Sequence, residues 1–394
     1  MDAILPEQPV FGFGADPLNP HPVRPIEAVG GRSKSELRRQ IIQSCPRVPG
    51  VYGMLDRKGR LIYVGKSKSL RSRLLSYFAA SNADEKGGRI IENARAIQWE
   101  TQPSEFASLV REQQLIRTFS PRWNVQGVPK RQRPVYLCLG RSPATFFLSS
   151  KPPADCVGIE GPFYGAGRMR RAVEALNKVF RLRDCSEKQV FHFAEQLSLF
   201  ELEHRPGCLR LEVGTCIGPC AAACTRAEYE AKVNAAESFL DGFNDEPLMA
   251  IQEQMDTAIA NLQYELAERA YVALKDLQYV HRKLSILADA RRKFTFIYSV
   301  PGYDGCHTWY LIHCGEVAAV AVAPKDKTEF DAMRPMIQHW KAATSDRLNR
   351  GHGAFPHTLA LVASWFRKHR GELDRTFAAQ RAGRMYYRRL KATG

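Results

Sequence analysis

No run of apolar residues in this 394-residue sequence is long enough to cross a bilayer, for which about 20 are needed, so no membrane partner is expected. The first residues lack the basic start, apolar centre and small-residue cleavage site of a secretory signal, and the expected location is the cytoplasm. Acid is in short supply: 41 Asp and Glu stand against 57 Lys and Arg, a net charge of +16. That imbalance argues against an acidic solvating protein and favours a polyanionic partner, because each phosphate neutralised releases condensed counterions. A basic protein with no nucleic-acid role is the alternative. Ten cysteines without a secretory signal do not suggest a disulfide framework. Gly161, Gly165 and Gly167 do not make a dinucleotide loop, since the strand–turn–helix unit and the downstream acid are missing.

What is present centres on residues 50–78. Val51 to Leu55 is β-prone, Asp56-Arg57-Lys58-Gly59 has turn chemistry, and Arg60 to Val64 is β-prone again. Strands so close in sequence should pair antiparallel and bring Tyr52 near Tyr63. Ser67 to Phe78 has helical periodicity, with Leu70, Leu74 and Leu75 on one side and Lys68, Arg71 and Arg73 around them. Gly65 lets the backbone leave the strand where a ligand can approach closely. Two phenols, Lys66 and Arg73 converge at one strand-to-helix junction, which is the chemistry of a phosphate site.

Residues 1–31 are rich in Pro and Gly and read as a flexible tail. Helices are expected over Ser33–Ser44, Gly88–Ala96 and Ser104–Phe119, with a strand over Ile97–Thr101. Ser104 is the candidate N-cap of the last helix, and Pro121 stops it. Glu112 lies late in it, and Asn124 follows twelve residues on; alone, such a glutamate reads as part of a solvated face. Two β-like runs, Val135–Leu139 and Thr145–Leu148, follow the basic stretch Lys130-Arg131-Gln132-Arg133. Beyond a helix at Met169–Phe180, four cysteines fall within seventeen residues, at Cys208, Cys216, Cys220 and Cys224. Scattered cysteines are usually buried hydrophobes, but a cluster amid Pro and Gly reads as a ligand set. Helices over Glu228–Leu240 and Pro247–Leu287 suggest a hairpin. Strands over Phe294–Val300, Thr308–Cys314 and Val317–Ala323 and two helices complete an α+β chain. Its basic end, Arg384 to Arg389, either adds DNA affinity or is merely solvated.

Gly50-Val51-Tyr52 and Tyr63-Val64-Gly65, followed by Arg73, Glu112 and Asn124, resemble the two signature triplets and later site residues of the GIY-YIG nuclease family. Val48-Pro49-Gly50, Lys66 and Ser76-Tyr77-Phe78 are similar to its UvrC subgroup of excinucleases, in particular to the N-terminal half of UvrC in a single-incision, Cho-like form. Trp123 departs from a common Tyr, and Gly53 from a larger residue. The resemblance implies an α+β nuclease domain, a small antiparallel sheet flanked by helices, over 32–127. It further implies a linker and cysteine-rich region over 128–225, a UVR-like helical hairpin over 226–290 and a small α+β region over 291–394. Implied catalytic residues are Tyr52, Tyr63, Gly65, Lys66, Arg73, Tyr77, Glu112 and Asn124. Tyr63 would be the general base, Glu112 would hold Mg²⁺ or Mn²⁺, and Lys66 and Arg73 would favour the Tyr63 phenolate. Cys185, Cys208, Cys216 and Cys220 resemble the iron–sulfur segment of the subgroup; a [4Fe–4S] cluster or Zn²⁺ suits such thiolates equally in spacing, and Cys224 could replace Cys185. Asn261 to Ala267 resembles the UVR motif that contacts UvrB, although an internal spacer is the plain reading of that hairpin.

The implied function is a metal-dependent DNA endonuclease of excision repair, part of the SOS response, that acts on damaged double-stranded DNA. With one such site and no spaced Asp triad in the last hundred or so residues, a single 3′-side incision is expected. The alternatives are a non-catalytic DNA- or UvrB-binding module on the same scaffold and an RNA- or mobile-element-associated nuclease.

Overall fold

The computed structural model describes residues 12–16, 18–20, 27–79, 86–125, 135–141, 144–151, 155–163, 166–182, 190–196, 207–346 and 358–383. They fall into two compact units, one drawn from the ranges 1–128 and 291–394 and the other from 129–290.

The first unit opens with β1 (Glu27–Gly30) and α1 (Lys34–Ser44), continues through β2 (Gly50–Leu55), β3 (Leu61–Ser67), α2 (Leu70–Ser76), α3 (Lys86–Asn93) and β4 (Ala96–Thr101), and reaches α4 (Glu105–Phe119) and α5 (Arg122–Val125). The four strands form one antiparallel sheet in the order β1-β4-β2-β3. Ser33 caps α1 by accepting from the Glu36 N–H, and Ser104 caps α4 by accepting from the Ala107 N–H at 3.1 Å. Such caps satisfy helix-end donors and are worth about 1 kcal/mol each. The helix expected from Ser67 begins only at Leu70. Ser67 ends β3, and its hydroxyl accepts from the Ser69 N–H and donates to the Ser69 carbonyl, closing a turn between strand and helix.

The flexible tail expected over residues 1–31 does not hold for its described part. Phe13 and Leu18 are buried, and Glu27–Gly30 pairs with β4 while Glu27 accepts from the Trp99 indole. The physical reason lies at Gly53. A Cβ there would stand 2.6 Å from Leu61 Cδ1 and 2.9 Å from the Phe13 ring. Phe13 thus occupies the room a larger residue at 53 would take, and burying it stabilises the fold by about 2 kcal/mol.

The second unit comprises β5 (Val135–Gly140), β6 (Phe146–Ser149), β7 (Cys156–Phe163), α6 (Ala166–Phe180), the short α7 (Leu209–Glu212), α8 (Arg226–Leu240), α9 (Glu246–Ala260) and most of α10 (Tyr264–Lys293). Its sheet has the order β6-β5-β7. A capping box between Thr225 and Glu228 starts α8. The helix expected over Pro247–Leu287 is broken into α9 and α10. Leu262 takes a positive φ of 57°, and the Gln263 N–H closes back on Ala258 at 2.8 Å, which ends α9. Asp276, buried on α10, is held by Arg171 and Arg168 of α6.

Strands β8 (Phe296–Pro301), β9 (His307–His313) and β10 (Glu316–Val322), helices α11 (Lys327–Asp346) and α12 (Leu359–Lys368), and the two-residue β11 (Thr376–Phe377) return the chain to the first unit. Their sheet runs β10-β9-β8-β11. Among the described residues, no helix is long and apolar enough to cross a membrane.

Candidate active site

The β2–β3 register decides which side chains meet. Tyr52 lies opposite Gly65, and Tyr63 lies opposite Met54. Gly65 and Tyr63 are two residues apart on β3, so the two phenols share one face as diagonal neighbours, with ring centroids 6.2 Å apart. The Tyr52 ring lies across the strand over Gly65, where any Cβ would collide with its hydroxyl. That makes glycine obligatory at 65. Gly50, at the start of the same strand as Tyr52, would drive a Cβ to 2.5 Å from the Glu100 carbonyl and 2.7 Å from Leu70.

Tyr77, at the C-terminal end of α2, completes the group. Its ring stands 6.0 Å from Tyr52 and 6.2 Å from Tyr63, edge-on to both. The Tyr52 and Tyr77 hydroxyls are 2.7 Å apart, and Tyr63 hydrogen-bonds to Tyr77 in turn. Arg73, one turn earlier on α2, donates from Nε to the Tyr52 oxygen at 3.3 Å and lays its guanidinium 5.1 Å from the centre of the Tyr77 ring. Burial is the main force that pushes all three phenols above the ordinary range, and Arg73 pulls each of them back only in part. For Tyr63, the neighbouring Tyr77 and the Glu112 carboxylate add to that upward push.

Glu112 comes from α4. Its Oε1 accepts from the Lys66 N–H at 3.1 Å. Burial raises its carboxyl to about 7, against the opposing effects of the Lys66 charge, the Lys66 N–H bond and Arg73. A carboxylate kept so close to neutrality is short of positive charge, and a divalent cation beside it would restore its ionised form. Mg²⁺ takes hard oxygen ligands and retains several waters, so one protein carboxylate can hold it. Among the described residues, no group of three or more acidic, His or Cys side chains is gathered for a metal.

Lys66 and Asn124 each have partners of their own around β3. The Lys66 ammonium stands 3.7 Å from Glu105, which also holds Lys68 at 3.0 Å. Glu105 precedes Glu112 by seven residues, two helical turns, and therefore shares its face of α4; the charge of Lys66 bears on Glu112, and that of Arg73 on Tyr63. Asn124 accepts from the Val64 N–H and donates to the Val64 carbonyl, both at 2.8 Å. It continues the sheet ladder beyond β3, the edge strand. Trp123, beside it, packs on the nearby core.

Sequence reasoning passed over Glu105 and Arg111. The signal for Arg111 was present: a charged residue on the apolar period of α4 needs buried acceptors, and this one, 2% exposed, finds Glu100 and three successive carbonyls of residues 13–15.

Of the expected cysteine ligands, Cys185 lies outside the described residues. Cys216 and Cys224 are buried and Cys208 and Cys220 half-buried. The Cys216 sulfur accepts from the Gly218 N–H at 3.4 Å, and burial, with Glu228 and Cys216 next in effect, lifts the Cys224 thiol to about 11. The described cysteines do not by themselves form a metal site.

Comparison with known proteins follows the same division of the chain. Residues 48–125 match the family model of the UvrC-like GIY-YIG domain, and residues 135–239 match that of the UvrC/Cho excinuclease middle domain. The UvrABC system protein C of Saccharophagus degradans is 28% identical over 303 residues, covering 76% of this chain and 48% of that protein. Its counterpart in Desulfatibacillum aliphaticivorans is 34% identical over 223 residues, covering 56% of this chain and 35% of that one. The chain thus spans about half or less of the length of these relatives. Among solved structures, the magnesium-bound GIY-YIG N-terminal endonuclease domain of UvrC from Thermotoga maritima is 34% identical, with 24% of this chain and all of that one covered and a TM-score of 0.22.

Proposed function

The chain belongs to the UvrC-like GIY-YIG family, and from that premise we propose that it is a divalent-metal-dependent DNA endonuclease acting in nucleotide excision repair. One observation carries the reading: three phenols, linked through Tyr77, converge with Arg73 and Glu112 from two strands and two helices. Phosphodiester hydrolysis needs a base for the attacking water and positive charge on the phosphoryl oxygens. Glu112 would hold Mg²⁺ or Mn²⁺, which supplies Lewis-acid stabilisation of phosphoryl charge. With the cation and Arg73 offsetting the charge of its phenolate, Tyr63 would take the proton of the attacking water as the water oxygen bonds to phosphorus, and the strand's P–O bond breaks to release an alkoxide that solvent protonates. Tyr77 fixes the orientation of the Tyr63 hydroxyl, and Tyr52 fixes Tyr77. Arg73 balances the developing phosphoryl charge, which a planar guanidinium matches well. Lys66 supports Glu112, and Gly65 leaves room for the Tyr52 ring.

In this reading the substrate is damaged double-stranded DNA, and the cut is a single one on the 3′ side of the lesion. The net charge of +16 supports the polyanionic partner. The turn between α9 and α10 supports a UvrB contact, because Leu262, Tyr264 and Leu266 are exposed there at 69%, 68% and 52%, and adjacent apolar side chains left in water are characteristic of docking surfaces. The cysteine segment is proposed as a ligand set on its sequence pattern, with [4Fe–4S] ahead of Zn²⁺; anaerobic purification should give brown protein, and stoichiometric zinc in a colourless preparation would transfer the site to zinc.

The deciding experiment is cleavage of a lesion-bearing duplex, end-labelled on each strand in turn, with Mg²⁺ and with or without UvrB. One 3′-side product that vanishes in Tyr63→Phe is expected. DNA binding without any product would instead make the chain a non-catalytic module. A 5′ product surviving in Tyr63→Phe would reveal a second nuclease site.

A further inference from the structure

Helix α4 has two faces with different tasks. Glu105 and Glu112, two turns apart, face β3 and Lys66. Phe106, Ala107, Val110 and Arg111 lie on the opposite side by helical periodicity, and none of them meets the reacting groups. The Phe106 ring sits edge-on between Tyr298 at 5.2 Å and Tyr310 at 4.8 Å, with Trp365 at 5.3 Å. Ala107 and Val110 belong to the same buried cluster. The Tyr303 N–H bonds the Pro103 carbonyl at 3.0 Å, just before the helix begins. On the next stripe of that face, Arg111 donates to the carbonyls of Phe13, Gly14 and Ala15 and to Glu100, and it stands 3.5 Å from Asp16.

The two groups that grip α4 from behind come from residues 13–16 and from β8, β9 and α12. Both lie outside the two family-matched spans, 48–125 and 135–239. A buried guanidinium shared among several acceptors, and an aromatic ring boxed by three others, admit few alternative positions. We propose that residues 13–16 and the sheet of β8 and β9, together with α12, form a clamp that positions Glu112, with Arg111 and Phe106 as its positioning residues. Glu112 is tethered by the helix that carries it and by one main-chain N–H, so a shift of α4 along β3 moves its carboxylate directly. Displacements of about 1 Å at a reacting centre cost on the order of 10²-fold in rate. This inference rests on the reading of Glu112 as the cation-binding residue.

The test uses the whole 394-residue chain with Arg111→Lys, which keeps the charge and loses the fork, and Phe106→Leu, which keeps the apolar bulk and loses the edge-on contacts. Mn²⁺ binding is measured by electron paramagnetic resonance, with Glu112→Gln as the zero-binding reference and thermal melting as the check on folding. The expected result is a cooperatively melting variant whose Mn²⁺ dissociation constant rises about five- to tenfold. Its DNA affinity without divalent cation should stay within twofold of wild type, so that kcat falls and KM for DNA does not rise. Should either variant fail to melt cooperatively, Trp365→Phe takes its place, since it alters the box from the far side of Phe106. Folded variants that bind Mn²⁺ within twofold of wild type would overturn the inference. Wild-type protein that binds Mn²⁺ through Glu112 but cuts no DNA would sink the nuclease reading and support the positioning of Glu112 if the variants still weaken Mn²⁺.

Discussion

The side-chain amide of Asn124 is paired in both directions with the backbone of Val64, accepting from its N–H and donating to its carbonyl at 2.8 Å each. An edge strand leaves such groups unpaired, and here an amide that mimics a peptide unit covers them. The pairing anchors α5 beside β3, one residue from Tyr63. In the proposed function, Asn124 would act on the site through the strand.

Asn124→Asp should be more harmful than its small change in shape suggests. It removes the donor and sets an anionic oxygen against the Val64 carbonyl. A loss of about 1–3 kcal/mol is expected, read as a lower urea midpoint at pH 8 with an unchanged slope. Full stability in this variant would mean that the pairing does not hold α5.

Glu112 links pH to both cation binding and stability. Its carboxyl is raised from near 4.5 to about 7 in the fold without a cation. Between those values the folded form keeps a proton that the unfolded chain has released, so this group's contribution is present below about 4.5 and lost as pH rises to about 7. Glu112→Gln should therefore raise stability at pH 8 without divalent cation by about 1–3 kcal/mol, while abolishing cleavage. Denaturant melts at pH 5 and pH 8 check this; a variant no more stable at pH 8 would contradict the raised carboxyl.

Mg²⁺ binding should follow the same titration. A proton and a cation compete for one carboxylate, so apparent affinity should fall about tenfold per pH unit below about 7 and level off above it. Calorimetric titration with Mg²⁺ from pH 5.5 to 8.5 measures the profile. A flat profile would remove Glu112 from the cation site.

Tyr63→Phe should lower the cleavage rate by about 10²-fold or more with DNA affinity nearly unchanged, because the lost hydroxyl acts only when charge develops. Tyr77→Phe should cost less, about tenfold, since it loosens Tyr63 without removing the base. Single-turnover rates separate the two. Equal losses would show the phenols acting as one inseparable unit.

Gly65→Ala should impair the site by a steric route. The added Cβ would collide with the Tyr52 hydroxyl, so that ring must leave Tyr77 and Arg73. We expect cleavage to drop at least about tenfold and the melt to shift downward. Because the Cβ would also stand 2.6 Å from the ring carbon Cζ, the ring itself must go: restoration of folding in the Gly65→Ala, Tyr52→Leu double variant, still without cleavage, would trace the loss to that collision.

The amino-acid sequence by itself determined the hairpin of β2 and β3, the start of α4 at Ser104, the three later strands β8 to β10 and the residue types proposed for the site. Those features rest on local chemistry: β-prone runs around a turn, a capping serine, a helical apolar period, and triplets whose glycines and tyrosines carry their own constraints. Tertiary structure decided the rest. Only the register shows that Gly65 lies under the Tyr52 ring, and only the packing of α4 on β3 carries Glu112 to the Lys66 amide, 46 residues away. The burial of Phe13 and Leu18 was not legible because their Pro- and Gly-rich neighbourhood has no periodicity; Phe13 is held by a space at Gly53 and by Arg111, both distant in sequence. Likewise, a charged residue on an apolar stripe announces that Arg111 needs acceptors, but which carbonyls supply them depends on how the chain returns to the helix. Local periodicity specifies elements; long-range complementarity of shape and charge specifies which of their side chains meet.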